Sequence, residues 1–173
     1  MEILERRTAW GEQFEAGWLA RQRATGEFDW KQYQYARNEA PVPGAPVALA
    51  RSRLLVVTSS GAYVRGEQPP FDAPNPLGDP SHRTFPVSLP LERLAFAHDH
   101  YDHAFVDRDV QAVLPLRHLE ALVREGAVGE LAPTAFSFSG YLPDVRRVVD
   151  EVAPPLLALA RRQEADAALL VPF

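Results

Sequence analysis

The 173-residue sequence contains no cysteine. This excludes disulfides, thiolate-bound zinc, iron-sulfur clusters and a cysteine nucleophile from the chain's own chemistry. Basic charge is also short: eighteen Lys and Arg against twenty-three Asp and Glu leave a formal charge of -5. Without a basic stripe to displace counterions, a nucleic-acid or membrane-surface partner is not expected. No run approaches 18 apolar residues, and the charged start "MEILERRTAWGEQFEAGW" does not resemble a signal peptide. The expectation is a cytoplasmic protein.

What is present is ordinary for a globular chain, with 46% hydrophobic and 24% charged residues. A single domain of this length buries roughly 70% of the surface that its unfolded chain exposes. Residues 2–24 carry Ile3, Trp10, Phe14 and Trp18 at largely helical spacing, which predicts an amphipathic helix whose aromatic stripe docks on the core or on a partner. "APVPGAP" (40–46) follows as a stiff spacer. Residues 1–50 therefore form a helical arm and spacer, and residues 51–173 a separate α/β unit.

Strands are predicted at "RLLVVTSS" (53–60), "RLAFAH" (93–98), "TAFSFSG" (134–140) and "DAALLVP" (166–172). Helices are predicted from Pro115 to Glu125 and from Pro143 to Gln163, the second kinked or interrupted at Pro154-Pro155. Alternating strands and helices imply a flavodoxin-like or Rossmann-like three-layer domain with a parallel sheet. Both edges of a four-stranded core would be exposed, so an oligomer is expected. Between the first two strands, residues 66–90 hold seven of the sixteen prolines and read as a long loop, either a lid over the strand ends that uses Asp79, His82 and Arg83 or a passive, partner-bound wrap.

Ligands of such sheets bind beyond the carboxyl ends of the strands. Thr58-Ser59-Ser60-Gly61, His98 to His103 and Ser139-Gly140 should therefore gather on one edge. His98, His100, Asp102 and His103 spell H-x-H-x-D-H, a spacing that can supply imidazole and carboxylate ligands to zinc or iron. A metallo-β-lactamase-type centre needs further ligands downstream, and only His118 follows the motif. A purely structural cluster is disfavoured because burying so many unmatched polar groups is costly. A metal site and a substrate pocket both remain open.

Several blocks in order, "VVTSSGAYVRGEQPPFD", "GDPSHRTFP", "HDHYDHAFVDRDVQAVLPLRHLEALVREGAVGELAPTAFSFSGY" and "DAALLVPF", resemble the selenoprotein B family of glycine, sarcosine, betaine and D-proline reductases. The similarity covers residues 53–173. It implies reductive C–N cleavage of a small amino acid or betaine, by a selenocysteine or cysteine in the loop directly after the strand that here reads "AALLVPF". Neither residue occurs in this sequence, and neither His nor Ser replaces a thiolate in that chemistry. Three explanations are open: a reading frame ended at a selenocysteine codon, a chalcogen supplied by a companion reductase subunit, or a non-catalytic relative that binds a metal or small ligand. Within the resemblance, His98, His100, Asp102 and His103 would wall the pocket. Ser59, Ser60, Ser139 and Gly140 would offer donors to a carboxylate, paired with Arg83 or Arg108. For the arginines, structural pairing is the competing expectation.

Overall fold

The computed structural model describes residues 3–40, 44–99 and 102–173. Strand β1 (Arg53–Thr58) is the centre of a five-stranded sheet, and five of its six residues are buried. Its uninterrupted apolar run suits a strand covered on both faces. Beside it run β5 (Glu130–Leu131) and β6 (Thr134–Phe138), both parallel to it. Arg53 lies opposite Glu130, but Val57 lies opposite Phe136, so the register steps by two residues across Ala132-Pro133. On the other flank β7 (Ala167–Val171) pairs in parallel with β1 over its whole length.

Side chains divide by the period of two along each strand. Leu54, Val56 and Ala135 pack with Leu116 and Leu119 of helix α4 (Leu116–Arg124). Leu55, Val57 and Phe136 pack on the opposite face with Val152 and Leu159. The result is a three-layer α/β domain, as the alternation of elements predicts.

Two strand expectations need correction. Residues 94–96 do form a strand, β4 (Leu94–Phe96), but it pairs antiparallel with β2 (Ala62–Val64) in a separate two-stranded sheet. Three residues with one fully buried side chain do not make a doubly covered core strand. The supposed loop 66–90 contains β3 (His82–Pro86), which runs antiparallel to β6. Its sequence "HRTFP" hides an edge strand behind polar residues and a proline, which an edge tolerates at its end. The sheet is therefore mixed, with β3 at one edge and β7 at the other.

The second long helix begins as α5 (Val145–Arg147), widens into a π turn at Val148–Val152 and continues as α6 (Ala153–Arg162). Pro154 and Pro155 cannot donate to the preceding turn, and the wide turn just before them absorbs the missing bonds. The irregularity that the proline pair predicts takes the form of this wide turn, just before Pro154.

The N-terminal arm folds onto its own chain. Helix α1 (Arg7–Phe14) passes through a π turn at Glu15–Leu19 into α2 (Ala20–Thr25). Residues four apart stack, Trp10 on Phe14 at 5.1 Å and Phe14 on Trp18 at 5.5 Å. This stripe packs against Tyr33, Leu77 and Val145, whereas Ile3 precedes the helix and is exposed. The Tyr33 hydroxyl donates to the Pro143 carbonyl at 2.8 Å, and burial pushes its pKa up to about 12. Arg146 joins Glu15 of the arm and Asp144, and Arg7 reaches Asp150. Among the described residues no helix is long and apolar enough to cross a membrane.

Candidate functional site

The end of β1 sorts its hydroxyls by parity. Thr58 and Ser60 turn towards the α4 side, and Ser59 turns the other way. Two distinct environments result.

On the α4 side, Thr58, Ser60, Ser137, Ser139 and His98 are all buried. The Thr58 hydroxyl donates to the Val113 carbonyl at 2.8 Å and lies 3.0 Å from the Ser60 hydroxyl. Ser60 and Ser139 bridge in antiparallel fashion, and Thr58 sits opposite Ser137. The backbone leading to His98 reaches this end through Gly61. Gly61 donates to the Phe138 carbonyl at 3.0 Å and accepts from Ala97 at 3.1 Å, which carries the chain to His98. The His98 carbonyl takes His103 Nε2 at 2.7 Å. Asp102 accepts the Ala104 N–H at 2.9 Å and so helps to start helix α3 (Ala104–Arg108). His100 lies outside the described residues. Among the described residues no three His, Asp or Glu side chains converge in a metal-binding arrangement.

Thr58 lies where the sequence places it, at the end of β1, but Ser137 is absent from the sequence-derived set. Ser137 precedes Ser139 by two on one strand, and that parity could have grouped them. Its hydroxyl is buried with no hydrogen-bond partner among the described residues. Ser137→Ala is therefore expected to leave stability within about 1 kcal/mol of wild type or to raise it, because no bond is lost and a desolvated hydroxyl is removed. Thermal unfolding of the variant checks this.

On the α6 side lies a cleft of about 390 Å³, lined by Val57, Ser59, Phe138, Gly140 and residues 170–173. The Ser59 hydroxyl accepts from the Phe173 N–H at 2.9 Å and lies 3.3 Å from the Phe173 carbonyl, so it clasps the segment after β7. The Gly140 N–H donates to the Ser59 carbonyl at 2.8 Å, which ties the ends of β6 and β1 together. Ser59 and Gly140 thus share a cleft, while Ser60 and Ser139 belong to the buried cluster.

Arg83 is engaged elsewhere. Its guanidinium donates to the carbonyls of Pro69, Pro70 and His82 and to the Ser81 hydroxyl, and lies 4.3 Å from the centre of the Phe71 ring. It pins the proline-rich segment against β3. Asp79 supports the same segment by accepting the backbone N–H groups of Asp72 and Ser81. Burial pushes its carboxyl up, but these hydrogen bonds, with the Ser81 hydroxyl and Arg83, outweigh it and leave the pKa lowered. Arg108 falls in the last turn of α3.

His82 stacks on Phe136 at 4.9 Å with ring planes 8° apart. Burial, with Arg83 beside it, holds its imidazole below the usual range. A histidine whose folded pKa is depressed contributes stability above the unfolded value, and that contribution is lost as pH falls. Stability is expected to decline as pH drops below about 6.5, and His82→Gln should flatten that step. Urea midpoints on both sides of it, with the His82 ring titration followed by NMR, provide the measurement.

The chain is 26% identical over 117 residues to D-proline reductase subunit gamma of Acetoanaerobium sticklandii, a stretch that covers 68% of this chain and 47% of that protein. It is a distant relative of that subunit and spans about half its length. No family model matches, and no solved structure matches.

Proposed function

We propose that this chain is a reductase-family component that forms the strand-end scaffold and substrate cleft for reductive C–N cleavage of a small cyclic amino acid of the proline type. In this reading the redox selenium or sulfur comes from a residue outside this sequence. One observation carries the proposal. The Ser59 hydroxyl clasps Phe173 beside the cleft, and the resemblance to the selenoprotein B reductases implies a chalcogen directly after "AALLVPF", at that end. A residue following Phe173, or one brought there by a companion subunit, would meet a ligand in this cleft.

The lining favours one substrate class. Val57, Phe138, Leu170 and Val171 offer apolar walls that suit a pyrrolidine ring better than glycine. The distant relationship to a D-proline reductase subunit supports the same choice. Ser59 then acts by positioning the strand end, since its hydroxyl is already engaged with the backbone.

Titration calorimetry of the full chain with D-proline, L-proline, glycine and betaine tests the proposal. D-proline is expected to bind at least tenfold more tightly than glycine or betaine, and Phe138→Ala should abolish the difference. A folded protein that binds none of the four overturns the reading. Stoichiometric zinc or iron that is lost in His100→Ala, in the absence of amino-acid binding, would favour the non-catalytic metal-binding alternative.

A further inference from the structure

The exposed edge of β7 is short and apolar. Among the described residues this strand pairs with β1 alone. The Val171 carbonyl accepts from Ser59 at 3.2 Å, so Val171 turns its peptide groups towards β1. By the period of two, Leu169 and Ala167 do the same, and the N–H and C=O groups of Ala168 and Leu170 face outward. Both residues are exposed, Leu170 at 64%. The window is closed at each end: the Asp166 N–H already donates to the Arg53 carbonyl at 3.0 Å, and Pro172 has no N–H to give.

We infer that this edge is a self-association surface, on which a second copy of the chain adds its own β7 antiparallel about a two-fold axis at Leu169. In an antiparallel pair, residues facing one another exchange both backbone bonds. A two-fold at Leu169 sets Ala168 opposite Leu170 of the second copy, and Leu170 opposite its Ala168, so all four outward groups of each strand are satisfied. Small faces large twice, and the two Leu169 side chains meet as the close, non-hydrogen-bonded pair. No charged side chain lies within Ala167–Val171 to oppose the contact or to recruit a charged partner. The register about Leu169 uses every outward group of both strands, and a second copy supplies that match by symmetry. Because Leu170 and Val171 also form the outer wall of the α6-side cleft, the second copy extends that wall. The inference stands whether or not the cleft binds an amino acid.

The cysteine-free sequence gives a clean test. Sedimentation velocity over a wide concentration range should show a dimer. Leu169→Cys should cross-link under mild oxidation into a species of twice the chain mass, since the paired positions fall within disulfide range. Tyr35→Cys, on the exposed arm, should not. Ala168→Pro removes an outward donor that takes no part in the ladder to β1, so it should give a monomer with unchanged circular dichroism. A wild-type chain that sediments as a monomer throughout overturns the inference. So does a dimer that survives Ala168→Pro, or a Leu169→Cys chain that cross-links no better than Tyr35→Cys.

Discussion

Phe136→Ala is expected to lower the unfolding free energy by about 3–5 kcal/mol, the usual cost of emptying a fully enclosed aromatic site. Phe136 has no exposed surface and sits on the central parallel pair of the sheet, where it packs with Leu55, Val57, Leu142, Val152 and Leu159. β1 and β6 are hydrogen-bonded to one another, so the site cannot collapse by moving one strand, and most of the cavity should persist. A domain with about 5–15 kcal/mol in total is left marginal by such a loss. The substitution has a second signature. Its ring covers one face of the His82 imidazole, so the alanine variant should move the His82 titration back towards the ordinary histidine range. Chemical denaturation and NMR titration read these two effects separately. A stability loss below about 1 kcal/mol would show that the α6 face repacks freely, contrary to the close packing expected of such a core.

Gly61→Ala should cost about 2–4 kcal/mol, combining left-handed backbone strain with a steric conflict. Gly61 has φ 70°, and a Cβ there would run into the Ala97 carbonyl. The same backbone joins the two environments of the site, through bonds to Phe138 on one side and Ala97 on the other. Pushing Ala97 away displaces the start of the His98 segment. Gly126→Ala is the matched control, because Gly126 has φ 75° but nothing within 4 Å of its would-be Cβ. It should lose only about 1–2 kcal/mol, the strain alone. Equal losses at the two positions would mean that the Ala97 contact yields without cost. Thermal unfolding of both variants, with the histidine resonances of Gly61→Ala, distinguishes these cases.

Much of the α/β layering is legible along the chain. "RLLVVT" and "TAFSF" are apolar runs bounded by turns, and the spacing of Leu116, Leu119 and Leu122 announces α4. The arm's stripe is equally plain, because Trp10, Phe14 and Trp18 recur every four residues. β3 is not legible in the same way. "HRTFP" lacks a hydrophobic run because an edge strand buries little, and only its pairing with β6 makes it a strand. Residues 94–96 read as core because Leu, Ala and Phe are apolar, yet their partner is the three-residue strand β2, outside the main sheet. Pattern reports how much of a segment is apolar. It does not report which neighbour the segment meets.

The candidate site divides along the same line. By itself the sequence determined the chemistry the chain can and cannot perform: without cysteine it has no thiolate, and its polar groups cluster after strands where an α/β sheet binds ligands. It also determined parity, because a strand alternates and Ser59 must face away from Thr58 and Ser60. Only the tertiary structure decided what each parity meets. Ser59 finds Phe173 because β7 lies beside β1, whereas Thr58 finds Val113 because α4 covers that face. Arg83 is drawn to the carbonyls of Pro69 and Pro70 because the proline-rich segment returns across β3. These pairings join residues 13 to 114 positions apart, and local sequence does not encode which distant groups come within hydrogen-bonding reach once the core closes.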